Sequence, residues 1–155
     1  MTQAARRGLR IVFNPSPIDK SISRLPLGEA WLLIFNEIEG AALAGCDDEE
    51  GILNTLRQRW PRCRLLLTLG SHGCVYDNGQ RRLRQGIYQV GTVDTTAAGD
   101  TFTGYFVACM AAGRPEEECL DLASRAAALA VSRPGAAPSI PTMDEVQRCT
   151  LRRGE

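Results

Sequence analysis

Three short apolar runs constrain the fold of this chain most strongly. They occupy residues 9–13, 31–35 and 64–69, and polar or glycine residues follow each of them. Mainly apolar runs of this length are typical of strands that are buried in a parallel sheet. Because segments with helical signals alternate with such runs, the sequence predicts an α/β fold with a largely parallel sheet.

The predicted helices are recognised by the residues at which they start and stop. Residues 37–44 end at Gly45, and the helix opened by the acids at 47–50 ends before Pro61. Further helices are predicted at residues 101–112, 116–132 and 144–149, and further strands at residues 74–76, 80–83 and 88–93. Since no repeat, low-complexity segment or linker divides the chain, one domain is expected.

The composition argues against several classes of function. The 18 Lys and Arg residues balance the 18 Asp and Glu residues, which gives no support for binding to nucleic acid or to a membrane surface. The six cysteines include no Cys-x-x-Cys pair and His72 is the only histidine, so no zinc site is predicted. No signal peptide or bilayer-spanning run is visible, and a reducing cytoplasm is the expected location.

The segment at residues 93–104 has the layout of an anion-binding turn. An extended stretch passes through small residues into a predicted helix. N–H groups in the first turn of a helix lack intrahelical partners, and the helix dipole adds positive charge there. Ala97, Ala98 and Gly99 would let a phosphate approach the backbone closely. Asp100 is a candidate base for a hydroxyl that attacks the phosphate, or alternatively only caps the helix.

Three turns that follow predicted strands carry polar or glycine residues. They lie at residues 36–39, 68–73 and 94–100. In parallel α/β sheets, ligands bind at the carboxyl ends of the strands. The residue types in these turns suit a phosphate or a metal ion, so the three turns together indicate a ligand site.

The motifs in these turns resemble those of the ribokinase-like (PfkB-type) carbohydrate kinases. The sequence reads NPSP at 14–17, NEIE at 36–39, TLGSHG at 68–73 and DTTAAGD at 94–100, in the order that the family shows. Residues 126–141 resemble the closing helix and tail of the family. The resemblance implies a ribokinase-like three-layer α/β/α fold with a largely parallel sheet. It also implies ATP-dependent phosphoryl transfer to a sugar hydroxyl, with ribose as the first candidate and adenosine, fructose or another alcohol left open.

The resemblance gives the turn at residues 94–100 its chemical roles. Asp100 would take the proton from the sugar hydroxyl. The backbone N–H groups of Ala97, Ala98, Gly99 and Asp100 would hold the charge on the transferring phosphoryl group. Such roles agree with the needs of phosphoryl transfer, which depends on positioning and charge stabilisation more than on covalent chemistry.

The resemblance also implies a site for ATP and Mg²⁺. Asn36 would contact the nucleotide phosphates, and Glu39 would help to hold Mg²⁺ through water, although Glu39 by itself suggests a solvated helix residue. The loop that would border ATP consists of Thr68, Leu69, Gly70, Ser71, His72 and Gly73. His72 occupies a variable position of that loop and is expected to be a surface histidine. Ser124 would lie near the adenine or ribose, or is an ordinary helix residue.

A K⁺ site is implied by the same resemblance. The matching positions are Asp94, Thr96, Ala130, Arg133, Gly135 and Ser139, several of them through backbone carbonyls. Carbonyl and carboxylate oxygens suit a hard cation, which would fix the geometry of the 97–100 turn without touching the substrate. The alternative for Asp94 is a simple turn former.

The length of the chain departs from the family pattern. Members are longer, and their sugar-binding residues and lid have no counterpart in this sequence. We therefore expect residues 1–155 to form the C-terminal nucleotide-binding and catalytic-base half of such a domain. Without a lid we expect little turnover by the chain alone, and self-association or pairing with an N-terminal partner half. The alternatives are a nucleotide- or ion-binding fragment without catalysis, and one half of a split kinase.

Overall fold

The fold is known from a computed structural model, which describes residues 1–19 and 21–154. The chain forms two compact units. The first contains Met1–Gly70 and Cys74–Arg84, and the second contains Ser71–Gly73 and the chain from Gln85 onward.

A sheet with flanking helices makes up the first unit. Its elements are α1 (Thr2–Arg6), β1 (Val12–Phe13), β2 (Leu32–Asn36), α2 (Glu37–Ala44), α3 (Glu49–Arg59), β3 (Arg64–Thr68) and β4 (Cys74–Asp77), followed by β5 (Arg82–Gln85). The five strands form one sheet in the order of their numbers. The β1–β2 and β2–β3 pairs are parallel, and the β3–β4 pair is antiparallel. The sheet is thus mixed and mostly parallel, which confirms the predicted α/β class.

The core of the first unit explains why these segments take these conformations. Apolar side chains of β2 and β3 pack with the apolar stripe of α3, and the buried members are Leu33, Phe35, Ile52, Leu53, Leu56, Leu65 and Leu67. Each fully buried side chain of this size contributes about 1.5–3 kcal/mol relative to exposure. Gly45 ends α2 in the left-handed region at φ 80°, as its sequence signal predicts.

The first strand is shorter than the sequence predicts. Residues 9–13 were expected to form it, but only Val12 and Phe13 pair with β2. Leu9 is 62% exposed, so its apolar side chain was not a valid sign of a buried strand. The Ile11 carbonyl still accepts a hydrogen bond from the Trp31 N–H at 2.9 Å, which leads the chain into the ladder.

The second unit consists of helices and a small ribbon. Its elements are β6 (Tyr88–Gln89), α4 (Ala98–Ala111), α5 (Glu116–Val131), α6 (Met143–Arg148) and β7 (Arg152–Arg153), with β6 antiparallel to β7. The α4 and α5 helices pack through buried side chains, among them Phe102, Phe106, Cys109, Cys119, Leu120, Ala123 and Ala126. The alanines let the two helices approach closely, and Cys109 and Cys119 are core thiols as expected.

Two predictions on the approach to α4 are wrong. The strand expected at residues 88–93 ends at Gln89, and Val93 is 62% exposed. The helix expected from residue 101 begins at Ala98, because alanine favours helix and an acid is stabilised in the first turn. Consequently the small residues belong to the helix start rather than to a separate loop. No helix of the described residues is long and apolar enough to cross a membrane.

Candidate functional site

Asn36 and Thr68 lie at the carboxyl ends of neighbouring strands in the first unit. They are register partners in the parallel β2–β3 ladder, and each is the last residue of its strand. Asn36 is exposed and is also the N-cap of α2, so the strand passes directly into the helix. The structure therefore brings two predicted nucleotide-contacting residues to one sheet edge, where ligands bind in α/β folds.

A reciprocal capping box joins Asn36 to Glu39. The Asn36 Oδ1 atom accepts from the Glu39 N–H at 2.9 Å, and the Glu39 Oε2 atom accepts from the Asn36 N–H at 3.0 Å. Glu39 is only 4% exposed, so the interpretation of Glu39 as a solvated helix residue is wrong. The sequence carries the signal for this box, since Asn followed by Glu three residues later is a capping pattern.

The glycine-rich loop has two left-handed glycines with different surroundings. Leu69 is buried, whereas Ser71 and His72 are exposed, which agrees with a surface histidine. Gly70 has φ +52° and opens a short 3-10 turn, and a Cβ added to it would meet no atom within 4 Å. Gly73 has φ +84°, and a Cβ there would lie 2.0 Å from the Gln85 carbonyl oxygen. The loop conformation thus requires glycine at position 73.

The start of α4 presents an exposed acid beside open space. Ala97 is the N-cap, Asp100 is the acid of the first turn, and Asp100 is exposed together with Gly99. A Cβ added to Gly99 would meet no atom within 4 Å. The Ala98 N–H donates to the Thr95 carbonyl at 3.2 Å. The backbone N–H groups of Gly99 and Asp100 are therefore the first-turn donors that best fit an anion.

Asp94 connects two loops of the second unit. Its Oδ1 atom accepts from the Thr96 hydroxyl at 2.5 Å and the Thr96 N–H at 2.9 Å. Its Oδ2 atom accepts from the Gly135 N–H at 2.9 Å. The Thr96 hydroxyl, the Thr96 N–H and the Gly135 N–H lower the pKa of Asp94, because each stabilises the charged carboxylate. Asp94 therefore stabilises its own turn and also binds the segment at Gly135.

The other predicted K⁺ positions lie in the last turn of α5, at Ala130, and beyond the end of that helix. The Ala130 carbonyl accepts from the Arg133 N–H at 3.1 Å, and the buried Ser139 hydroxyl donates to the Ala136 carbonyl at 2.7 Å. A carbonyl oxygen has two lone pairs, so the Ala130 carbonyl keeps one for a cation. The donor set of these positions is all oxygen and suits K⁺, but Asp94, Thr96, Ala130 and Ser139 already make protein hydrogen bonds.

Some features of the second unit were not predicted. The Arg133 side chain pairs with Glu145 at 2.7 Å. A backbone hydrogen bond from Thr142, the Arg133 guanidinium and the Thr142 hydroxyl lower the pKa of Glu145 to about 2. Thr101 is 3% exposed, and its hydroxyl has no hydrogen-bond partner among the described residues. Ser124 is 8% exposed, which leaves little of its surface for a nucleotide.

The chain belongs to the pfkB family of carbohydrate kinases. The family profile, described as pfkB family carbohydrate kinase, matches residues 1–143. The chain is 36% identical over 152 residues to the ribokinase of Schizosaccharomyces pombe, covering 92% of this chain and 47% of the relative. It thus spans about half the length of the relatives that it matches.

Solved structures support the same fold. The structure of Arabidopsis thaliana ribokinase complexed with ribose and ATP has a TM-score of 0.86 and 31% identity, covering 95% of this chain and 49% of that protein. A ribokinase II of E. coli in complex with ATP and Mg²⁺ has a TM-score of 0.78 and 25% identity, covering 94% of this chain and 50% of that protein. The ribokinase-like fold expected from the motifs is therefore confirmed.

Proposed function

We propose that this chain carries the ATP site, the anion hole and the catalytic base of an ATP-dependent kinase that phosphorylates a sugar hydroxyl, with ribose as the first candidate. The observation that carries the proposal is the start of α4. There the exposed carboxylate of Asp100 and the open space beside Gly99 lie in the first helical turn. The Arabidopsis relative, which binds ribose and ATP, supports the choice of substrates.

Asp100 is the proposed base. Its carboxylate would accept the proton of the sugar hydroxyl while that oxygen attacks the γ-phosphorus of ATP. The bond from the γ-phosphorus to the β,γ-bridging oxygen would break, and ADP would leave with that oxygen. The N–H groups of Ala97, Gly99 and Asp100 would stabilise the charge on the transferring group. The Ala98 N–H instead closes the turn by donating to the Thr95 carbonyl. Gly99 has no Cβ, so no side chain occupies the space proposed for the phosphoryl oxygens.

The nucleotide is proposed to lie at the edge that Asn36 and Thr68 share. Asn36 would contact the phosphates, and the loop that begins at Thr68, its register partner, would border the nucleotide. Glu39 fits a water-mediated Mg²⁺ contact through Oε1, because the capping box uses Oε2. When bound, Mg²⁺ would neutralise charge on the phosphates. The E. coli relative in complex with ATP and Mg²⁺ supports the choice of this metal.

K⁺ is proposed to be held by Asp94, Thr96 and the carbonyls of Ala130, Arg133 and Gly135, with Ser139. Support comes from the all-oxygen donor set and from the way in which Asp94 already joins the 94–96 and 135 segments. A cation there stabilises the segment that precedes the 97–100 turn.

The decisive experiment measures ADP release from ATP, Mg²⁺ and ribose. It is run on the chain alone and with the N-terminal half of a relative supplied as a second polypeptide. We expect little turnover by the chain alone, and in the reconstituted mixture Asp100→Asn should lower turnover about 10²–10⁴-fold. Asp144→Asn is the matched control, since Asp144 is also an exposed acid in a first helical turn.

The ADP-release assay, together with a titration that measures ADP binding, distinguishes a second candidate function. Nucleotide binding without turnover, by a fragment or by half of a split kinase, predicts saturable ADP binding and no ADP release in either mixture. Unchanged turnover in Asp100→Asn would remove Asp100 from the mechanism.

Association with a second copy or with an N-terminal partner half is also proposed. Support comes from β1, which is an edge strand of the sheet, and from the 62% exposure of Leu9 close to it in sequence. Light scattering that gives a monomer at high concentration would count against self-association. The six free thiols suit a reducing compartment such as the cytoplasm.

A further inference from the structure

The described part of the first unit contains a cavity at the amino ends of β2 and β3. Its volume is about 400 Å³, and residues 25–29 and 59–62 line it. The 25–29 segment precedes β2, and the 59–62 segment precedes β3. Asn36 and Thr68 lie at the opposite ends of the same two strands, and neither lines the cavity. The cavity is therefore separate from the edge at which the nucleotide is proposed to bind.

Hydrogen bonds hold both segments that line the cavity. In the first segment, the Glu29 N–H donates to the Pro26 carbonyl at 3.0 Å. In the second, the Arg57 guanidinium donates to the Pro61 carbonyl at 3.0 Å and, just beyond the lining, to the Cys63 carbonyl at 2.6 Å. Because both segments are already fixed, binding of a ligand would require little further ordering of the chain.

Part of the cavity lining is apolar. Leu27 is 3% exposed, and Leu25 is 39% exposed. Trp60 is half-buried and packs against Gly28, where an added Cβ would lie 3.2 Å from the Cδ1 atom of the indole. A half-buried indole and leucine side chains offer contact area to a flat apolar group.

The charged groups that line the cavity favour an anion. Two guanidinium groups, Arg59 and Arg62, stand against one carboxylate, Glu29. The Arg59 side chain donates to the Leu43 carbonyl at 2.5 Å. Arg62 is exposed, and its side chain has no hydrogen-bond or ion-pair partner among the described residues. Since a guanidinium binds a carboxylate through paired N–H donors, Arg62 is available to bind one.

We propose that this cavity is a second binding site, which takes a small organic anion with a flat apolar body, such as an aromatic carboxylate. The ring of the ligand lies against Trp60 and the leucine side chains, and its carboxylate binds the Arg62 guanidinium. A cation of the same shape would be repelled by two guanidinium groups and attracted by one carboxylate. The site requires neither ATP nor Mg²⁺, so its test is independent of the proposed kinase activity.

The experiment follows the two indole N–H signals of the 155-residue chain in ¹H–¹⁵N NMR spectra during a titration with benzoate. Trp31 and Trp60 are the only tryptophans, and Trp31→Phe assigns their signals. We expect the Trp60 signal to shift saturably with a Kd of about 1 mM, which is a realistic affinity for so small a ligand.

Trp31 is the internal control for benzoate binding. The guanidinium carbons of Arg10 and Arg64 lie 5.0 and 4.7 Å from the centroid of its ring, but Trp31 does not line the cavity. Its signal should therefore not follow the Trp60 titration, even though it also combines an indole with guanidinium groups.

Two comparisons test the role of charge. Benzyl alcohol has the same ring without the charge, so its Kd should be about tenfold higher than that of benzoate. Arg62→Gln should raise the Kd for benzoate about tenfold and leave that for benzyl alcohol unchanged. Arg7→Gln is the matched control, since Arg7 is also exposed without a side-chain partner among the described residues and lies outside the cavity lining. Its Kd for benzoate should equal that of the wild-type chain.

Three results would overturn the proposal. The first is the absence of a saturable Trp60 shift up to roughly twenty times the expected Kd. The second is an equal shift of both indole signals, because benzoate would then stack on any pair of arginine and tryptophan rather than occupy the cavity. The third is an equal Kd for benzoate and benzyl alcohol, or an unchanged Kd for benzoate in Arg62→Gln, because the site would then not select an anion through Arg62.

Discussion

The Asp94 carboxylate accepts a hydrogen bond from the Gly135 N–H at 2.9 Å, across a sequence separation of 41 residues. The other oxygen of the same carboxylate holds the Thr96 hydroxyl and N–H. One side chain thus ties the segment that leads to Ala97 to the loop that follows α5. The geometry of the proposed anion hole therefore depends on an acid that would not touch the substrate.

This arrangement predicts a pH dependence at Gly135. Because the folded pKa of Asp94 is lowered, the interaction is complete above the usual value of 3.8 and is lost as the pH falls through the folded pKa. The Gly135 amide proton shift in NMR spectra should therefore titrate with a midpoint below 3.8.

Asp94→Asn is the control for that titration. The variant removes the titrating carboxylate, so the low-pH change at Gly135 should disappear. A wild-type midpoint at or above 3.8 would show that the hydrogen bonds do not stabilise the charged form in solution.

The two left-handed glycines of the 68–73 loop should respond differently to alanine. Gly70→Ala places a methyl group in open space, so only the positive φ opposes it, at about 1–2 kcal/mol. Gly73→Ala adds a Cβ 2.0 Å from the Gln85 carbonyl oxygen, so the backbone must move. We expect its loss of unfolding free energy in urea titrations to exceed that of Gly70→Ala by about 1 kcal/mol or more. Equal losses would mean that the contact with Gln85 relaxes at no cost.

Local signals in the sequence were sufficient for α2. Asn36 supplies the cap, Gly45 supplies the left-handed stop, and the helix has the predicted bounds at Glu37–Ala44. These signals act within a few residues, so no tertiary contact has to be known to read them. That Asn36 and Thr68 lie near each other was also predictable, because both lie at the ends of apolar runs that parallel pairing aligns.

Features that depend on residues distant in the sequence could not be predicted from such local signals. The Asp94–Gly135 hydrogen bond joins loops that no periodicity relates. The β6–β7 pair joins Tyr88, which lies in a predicted strand, to Arg153, where no strand was predicted. The burial of Glu39 was missed because a glutamate in a first turn is ordinarily solvated. Roles of the proposed site residues remain predictions, since no ligand position follows from the sequence alone.

The ion pair between Arg57 and Asp77 should stabilise the first unit more than any surface pair. Asp77 is 6% exposed in its side chain, contacts Arg57 at 2.6 Å and also accepts from Arg82. Burial raises the pKa of Asp77, but hydrogen bonds from Arg57, the Gly79 N–H and Arg82 outweigh it and the pKa is lowered. Asp77→Ala should cost about 3 kcal/mol of unfolding free energy, because it leaves Arg57 without its buried partner.

Glu49→Ala is the matched control for Asp77→Ala. Glu49 pairs with Arg84 at the surface, where both side chains are partly solvated, so its loss should cost less than about 1 kcal/mol. The loss in Asp77→Ala should also shrink at low pH, since the wild-type carboxylate loses its charge as the pH falls through its lowered pKa. If the two variants lose similar unfolding free energy, the ion pairs of Asp77 stabilise the first unit no more than a surface ion pair does.

Gly99→Ala should separate stability from phosphate binding in the second unit. No atom lies within 4 Å of the added Cβ, and alanine favours the helix, so the unfolding free energy should rise by about 0.5–1 kcal/mol. The same methyl group would enter the space proposed for the phosphoryl oxygens. We therefore expect the Kd for a non-hydrolysable ATP analogue with Mg²⁺ to rise about tenfold, measured by calorimetry beside urea titrations.

Gly104→Ala is the matched control, because Gly104 is exposed in the same helix and its Cβ would also meet no atom within 4 Å. It should gain similar stability and bind the ATP analogue as the wild-type chain does, since it lies beyond the first turn. Equal affinity for the ATP analogue in Gly99→Ala and Gly104→Ala would contradict close approach of the γ-phosphoryl group to the Gly99 backbone. The proposed anion hole would then have to lie elsewhere, even if Asp100 proved to be essential for turnover.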